Sequence, residues 1–107
     1  EGSFTTLVAD TTAPVISNIT ETNITVSGAQ INWNTNEAAN SKIWYSTTTP
    51  VSTTGDPTVV SSAYVTSHAL SLTGLTANTT YYYVIGSADA SNNLTKATED
   101  SFATLSQ

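Results

Sequence analysis

The chain carries few side chains that can do acid–base or metal chemistry, and its single histidine, His68, is the first to consider. Histidine serves as a general acid or base and as a metal ligand. Here it alternates with Leu70 and Leu72, so it is expected to share their inward face of a β-strand. We therefore predict a hydrogen-bonded structural role for His68 rather than catalysis or metal binding.

Oxygen ligands of the kind that Ca²⁺ prefers occur near residues 89–93. Asp89, Asn92 and Asn93 are candidates, together with Asp10 of a preceding linker. The same residue types are typical of a tight turn, where they cap backbone groups, and this interpretation is favoured.

The adjacent carboxylates Glu99 and Asp100 point to opposite faces if they lie on a strand, so they do not form the carboxylate pair of a glycosidase. The sequence has no nucleophile motif, phosphate-binding loop or HExxH motif. We predict a protein that is not an enzyme, with no catalytic residue, no metal and no cofactor.

Asn-x-Ser/Thr sequences are acceptors for N-linked glycans in exported proteins. Four occur, at Asn18, Asn23, Asn78 and Asn93. Because the chain is rich in Asn and Thr, several would arise by chance. They are glycosylation sites only if the source organism exports the protein and has the required enzymes.

The elements that must position these residues are β-strands, because apolar residues recur with a period of two and no stretch has a helical period. Side chains alternate between an inward and an outward face in residues 29–35, 68–72 and 81–87. Shorter strands are predicted within residues 15–20, 41–46, 58–62 and 98–104. Seven short strands indicate a sandwich or a barrel. The predicted core comprises Ile31, Trp33, Leu70, Leu72, Tyr81, Tyr83, Ile85 and Phe102.

The segment Leu75-Thr-Ala-Asn-Thr-Thr-Tyr81 resembles the Leu-x-Pro-x-Thr-x-Tyr motif of fibronectin type III domains, with Ala77 in place of proline. The resemblance covers about residues 13–105. It implies an all-β, seven-stranded antiparallel Greek-key sandwich of the fibronectin type III or immunoglobulin-like class. It also implies structural roles for Trp33 and Leu75, and a corner role for Tyr81, whose hydroxyl would bond upstream backbone.

Residues 74–93 look like bacterial and archaeal surface members of that family. The chain is also similar to the small non-catalytic sandwich that precedes the metal domain of purple acid phosphatases. Neither resemblance defines a function.

The strand at residues 41–46 carries Trp44 between Ile43 and Tyr45. If Ile43 and Tyr45 face inward, as the family pattern implies, Trp44 points outward. With Tyr82 and Val84, beside Lys42, it would form an exposed apolar strip suited to an interface. The alternative is that a neighbouring loop, with Tyr64, covers the strip.

The first seven residues, Glu-Gly-Ser-Phe-Thr-Thr-Leu, reappear almost unchanged as Glu-Asp-Ser-Phe-Ala-Thr-Leu from residue 99, which is 98 residues later. A fixed period is typical of repeat architectures. We expect residues 1–9 to be the last strand of a preceding repeat, or a donor strand that pairs through Phe4 and Leu7. Residues 10–14 would be a linker stiffened by Pro14, and residues 15–107 the domain.

The composition excludes several classes of function. A net charge of −6 with only two Lys and no Arg disfavours nucleic acid and anionic membranes. No apolar run is long enough to insert into a membrane.

The leading hypothesis is a structural repeat of an extracellular or cell-surface protein: a spacer, stalk or filament subunit. Its partners would be neighbouring copies or surface polysaccharide. The alternatives are a carbohydrate- or protein-binding module that uses exposed aromatics, and an accessory domain of a secreted hydrolase.

Overall fold

The computed structural model describes residues 12–107. The expectations for residues 1–9, including Phe4 and Leu7, and for Asp10 lie outside these residues. Six strands form the described part: β1 (Ile16–Thr22), β2 (Ala29–Ser46), β3 (Thr58–Leu72), β4 (Thr80–Ala88), β5 (Leu94–Lys96) and β6 (Asp100–Ala103). This part of the chain contains no helix that is long and apolar enough to cross a membrane.

All strand pairs are antiparallel, and the two long strands belong to both layers of the sandwich. In the first layer, residues 29–34 of β2 pair with residues 67–72 of β3 on one side and with β1 on the other. In the second layer, residues 41–44 of β2 pair with residues 58–61 of β3, while residues 42–46 pair with β4. β5 and β6 pair with the other side of β4.

β2 and β3 cross from one layer to the other together. Register shifts occur between Asn34 and Ala39 and between Ala39 and Ser41, and Ala39 pairs with Val65 at the crossing. Such bulges bend a strand without ending it. The sheet therefore folds over on itself at one end of the domain, which we call the corner end.

The fold class predicted from the sequence is confirmed, but seven separate strands are not seen among residues 12–107. Residues 29–35 and 41–46 belong to one strand, β2, and residues 58–62 and 68–72 belong to β3, because the bulges carry the strands around the corner end. The strand predicted within residues 98–104 is β6, and β5, which precedes it, was not predicted.

The core lies between the two layers and contains the predicted residues. Ile31, Trp33, Leu72, Tyr81, Tyr83, Ile85 and Phe102 are buried, and Leu70 is half-buried against them. Burial of apolar surface of this kind is the main source of stability in a domain without disulfides.

The chain enters and leaves the domain at opposite ends. At the corner end, the Val15 backbone N–H donates to Asn36 Oδ1 at 2.7 Å. At the other end, the Leu105 N–H donates to the Thr25 carbonyl, 2.9 Å away, in the loop that follows β1. The seven residues of β1 separate these points by about 23 Å at roughly 3.3 Å per residue.

Candidate functional site

His68 lies at the corner end and holds β2 to β3. It is 2% exposed, and its ring stacks on that of Trp33 with 5.0 Å between centroids. Its Nε2 is 2.9 Å from Thr35 Oγ1 and its Nδ1 is 2.7 Å from Ser41 Oγ. The structure thus places His68 in the structural role that the sequence predicts.

The hydrogen bonds define the form of this histidine. Thr35 Oγ1 donates to the Glu37 carbonyl at 2.7 Å, so it accepts from His68 Nε2–H, and Ser41 donates to Nδ1. Burial lowers the pKa of His68 below its ordinary value, which favours this neutral form. A neutral ring with both nitrogens engaged has no free group for catalysis.

Trp44 lies on the outer face of the second layer and is only 4% exposed. It packs with Val84, half-buried Tyr82 and Val51, which comes from the loop at residues 47–57. The expectation that Trp44 and Val84 form an exposed strip is wrong, because this loop covers the indole. Tyr64, the residue expected to provide the cover, is not in the cluster and is 50% exposed.

Both lysines of the chain lie beside the Trp44 ring. The Nζ atoms of Lys42 and Lys96 are 4.8 and 5.5 Å from its centroid. The register places Gly86 between Lys42 and Lys96, and a Cβ added at Gly86 would lie 2.7 Å from the indole. The glycine thus makes room for the ring, while the ammonium groups gain a cation–π contact.

Glu99 anchors the covering loop. Its carboxylate accepts hydrogen bonds from the Thr49 hydroxyl at 2.5 Å and from the Val51 N–H at 2.6 Å. The Thr49 bond, followed by the Val51 bond, lowers the pKa of Glu99. Val51, Gly86 and Glu99 were missed by sequence reasoning. A glycine inside an alternating strand was the available signal, since it often marks a close approach of another group.

Tyr81 makes the corner contact that the fibronectin type III resemblance implies. Its hydroxyl accepts a hydrogen bond of 2.8 Å from the Thr76 N–H, and its ring lies 6.0 Å from that of Phe102. Leu75 and Trp33 are both buried in the same core. The three residues expected to be structural therefore all lie in the core, away from any open site.

Two other polar groups are used within the fold. The Tyr83 hydroxyl donates to Glu21 and lies 3.4 Å from an Asp100 oxygen, and burial followed by the Glu21 bond raises the pKa of Tyr83. Asp100 thus turns toward Tyr83 while Glu99 turns toward the covering loop, so the two do not form a carboxylate pair.

Asp89 shapes the turn between β4 and β5. Its Oδ1 accepts from the backbone N–H groups of Ser91 and Asn93 at 2.9 and 3.0 Å, and the Asn93 side-chain amide donates to Oδ2. These contacts support the turn interpretation over a calcium site. Among residues 12–107 no group of His, Cys, Asp or Glu is arranged to hold a metal ion.

The four candidate glycosylation sites differ in exposure. Asn18, Asn23 and Asn78 are exposed at positive φ, in the β1 bulge and in two turns. Asn93 is half-buried and its amide is tied to Asp89.

Two open depressions mark the described surface. One, of about 240 Å³, lies at the end opposite the corner and is lined by uncharged residues such as Asn23, Gln30 and Ser71. The other, of about 730 Å³, lies between β1 and the β5–β6 edge, with Ile16, Ile19 and Ala97 in its lining. Neither brings together residues of a catalytic type with free functional groups.

Comparison with known proteins agrees with this geometry. The third fibronectin type III domain of the human KIAA0343 protein superposes with a TM-score of 0.65 at 11% identity, covering 100% of this chain and 95% of that one. A structure described as a myokine superposes with a TM-score of 0.68 at 18% identity, covering 87% of this chain and 96% of that one. The sensor domain of the anti-sigma factor RsgI4 of Pseudobacteroides cellulosolvens superposes with a TM-score of 0.60 at 15% identity. This match covers 87% of this chain and 76% of that one.

These identities show the fold alone, and no curated protein matches the chain in sequence. The family profile described as "Purple acid Phosphatase, N-terminal domain" matches residues 14–104. This match spans all six strands and most of the 107 residues. The chain belongs to the family of N-terminal domains of purple acid phosphatases.

Proposed function

We propose that the chain is a non-catalytic structural repeat of an extracellular or cell-surface protein, which acts as a spacer between its neighbours. The observation that carries the proposal is the relation between residues 1–7 and β6. Phe102 and Thr104 are 6% and 4% exposed, and the earlier copy has the same residue types at Phe4 and Thr6.

The two copies differ where the side chain is exposed. Ala103 and Asp100 are exposed, and the earlier copy has Thr5 and Gly2 at these positions. A repeat that keeps its buried contacts and varies at its surface is what a tandem array of sandwiches requires.

The path of the chain supports an end-to-end arrangement. It enters at the corner end near Val15 and leaves at the opposite end near Leu105. The linker at residues 10–14 is short, and Pro14 restricts it. Successive domains joined in this way would keep their ends apart.

A structural role is also supported by how the titratable side chains are used. The side chains of His68, Asp89 and Glu99 each form hydrogen bonds to other groups of the domain. A surface built from hydroxyls and amides, with 9% charged residues, suits an exported protein. Neighbouring copies remain the proposed partners, with surface polysaccharide as a second class, and nucleic acid is excluded from the proposal.

A segment exchange tests the repeat directly. Residues 100–107 are replaced by the sequence of residues 2–9, so that Phe4 and Thr6 take the positions of Phe102 and Thr104. The exchanged protein should fold and melt within a few degrees of the parent, since the residue types of the buried Phe102 and Thr104 are retained. The control carries the same exchange with alanine at the Phe4 position and should lose about 3–5 kcal/mol. An exchanged protein that does not fold would contradict the repeat.

The spacer role is tested with two domains joined at the 98-residue period. Small-angle X-ray scattering should give a maximum dimension that increases by one domain length per added repeat. Domains that pack side by side, without this increase, would contradict an end-to-end spacer.

The family match favours a second candidate, an accessory domain beside a secreted hydrolase. The sequence encoded downstream separates the two: further repeats support the spacer, and a domain with metal-ligand motifs supports the accessory role. A binding module that stacks a ligand on Trp44 is not favoured, because the loop at residues 47–57 covers that ring.

A further inference from the structure

The outer edge of β3 is free in the described part of the molecule. β3 pairs with β2 along both of its halves, and no strand among residues 12–107 pairs with its other side. A free edge presents backbone N–H and C=O groups that can accept another strand.

β3 lacks the residues that normally protect such an edge. Its fifteen residues include no Asp, Glu, Lys or Arg and no proline. The free edges on the other side of the sandwich differ: β1 carries Glu21 and a bulge near Asn18, β5 carries Lys96, and β6 begins with Asp100. Charges of this kind prevent unwanted strand pairing. The register of β3 with β2 also shifts, between Ser61 and Val65, but among the edge strands of residues 12–107 β3 is the one without a charged residue.

The same strand exposes apolar side chains. Val60 is 62% exposed, Tyr64 50% and Val65 38%, and they account for half of the exposed large apolar residues in the described chain. Residues 62–64 have no partner on β2, which leaves Tyr64 at the surface. Exposed apolar side chains this close together on one strand of an otherwise polar protein indicate an interaction surface.

We propose that the β3 edge binds the β3 edge of a second copy of this chain, antiparallel, in a two-fold symmetric dimer. The charge of the chain selects this occupant. At a net charge of −6, two copies that pair through the β1 edge bring Glu21 residues together, and two that pair through the β6 edge bring Asp100 residues together, whereas β3 carries no acidic residue.

The strand is also complementary to itself. With Ser62 on the two-fold axis, Val60 lies opposite Tyr64 of the second copy and Val59 lies opposite Val65. Cross-strand pairs of β-branched and aromatic residues stabilise antiparallel sheets. The contact is isologous, so it closes at two copies. It is lateral, and therefore distinct from the end-to-end order of the proposed repeat.

Sedimentation equilibrium of the full chain tests the proposal, with a matched pair of variants. Val60→Lys puts a charged side chain in place of the apolar one opposite Tyr64 of the second copy, whereas Val15→Lys adds the same charge at a valine of similar exposure, 58%, outside β3. The parent and Val15→Lys should approach twice the 11.2 kDa monomer mass as concentration rises, and Val60→Lys should remain monomeric. Melting curves verify that both variants fold.

The proposal is overturned if the parent stays monomeric at its highest soluble concentration. It is also overturned if Val60→Lys and Val15→Lys weaken the dimer to the same extent. A mass that keeps rising beyond the dimer also overturns it, since the pairing is closed.

Because the chain has no cysteine, single cysteines give a second test. Ser62→Cys should form a disulfide-linked dimer under mild oxidation, since directly opposed residues have Cβ atoms about 4.5–5.5 Å apart. Ser17→Cys, an exposed serine on β1, is the control. Equal cross-linking of the two variants would place the contact elsewhere and overturn the β3 edge.

Discussion

At the scale of single residues, the buried polar groups of this domain are all engaged. No buried side-chain nitrogen or oxygen among residues 12–107 lacks a hydrogen-bond partner. An unsatisfied buried group costs about 1–3 kcal/mol, so each of these bonds constrains the fold. The Trp33 indole N–H, for example, donates to Ser87 at 2.9 Å in the centre of the core.

His68 should make stability depend on pH. Its pKa in the folded protein lies below the unfolded value of 6.5, so the unfolded chain binds the proton more readily. Its contribution is therefore complete above about pH 6.5 and is lost as the pH falls below that value. We expect a lower free energy of unfolding at about pH 5.5 than at about pH 7.5.

Urea unfolding at the two pH values measures this effect, and His68→Gln is the control because it does not titrate. The pH dependence should be absent from the variant. If it is the same in both proteins, the histidine is not its source.

The corner hydrogen bond predicts different effects at two neighbouring tyrosines. Tyr81→Phe removes the acceptor of the Thr76 N–H bond and should cost roughly 1–2 kcal/mol without changing the fold. Tyr82→Phe should be nearly silent, since Tyr82 is half-buried on the outer face. Thermal or urea unfolding compares them, and equal losses would contradict the corner assignment.

At the scale of the elements, alternation predicts where the strands and the core are because each layer turns one face toward the core. The inward residues of 29–35 and 81–87 form this core, while Val84 is buried on the outer face beneath the covering loop. Alternation does not predict whether successive strands are continuous. Continuity depends on the bulges near Ala39, and the alternation of apolar and polar residues does not reveal them.

The same limit explains the error at Trp44. Its outward direction follows from the strand, but its exposure depends on a loop with no periodic pattern. The contact of Glu99 with Val51 joins residues 48 positions apart, and nothing in the local sequence signals it. His68 and Asp89 were predictable, because their roles are set by their own strand and turn.

Gly86 should be sensitive to a single methyl group. Gly86→Ala puts a Cβ 2.7 and 2.9 Å from two Trp44 ring atoms, so the indole must move, and we expect a loss of about 1–3 kcal/mol. Gly55→Ala is the control, because its Cβ would meet only Ser52 Oγ at 3.6 Å. Thermal unfolding measures both, and equal stabilities would show that the ring is not confined at Gly86.

The covering loop should open in acid through Glu99. Its pKa is lowered in the folded state, so its contribution is present above the unfolded value of 4.5 and is lost as the pH falls below it. Glu99→Gln should expose Trp44 at neutral pH, which raises acrylamide quenching of tryptophan fluorescence. Asp56→Asn, which changes a carboxylate of the same loop that accepts from the Ser52 N–H at 2.7 Å, is the comparison. Unchanged quenching in Glu99→Gln would show that the loop closes without this anchor.

At the scale of the whole molecule, residues 16–104 contain the strands and the core that are described within residues 12–107. A protein that begins at Asp10 should therefore melt at the same temperature as the full chain when both are measured at low concentration. A lower melting temperature for the shortened protein would contradict the boundary at residues 10–14. It would show that residues 1–9 stabilise this domain.

The positions of the two chain ends also determine how the domain responds to tension. A pull on both ends draws β1 along β2 and β6 along β4, parallel to the strands. Antiparallel hydrogen bonds run perpendicular to their strands, so this direction loads each ladder in shear, and its bonds resist together rather than one at a time. β6 has four residues and β1 has seven, so β6 is expected to slip first. A stretched filament of these domains would then lengthen from the last strand of a repeat.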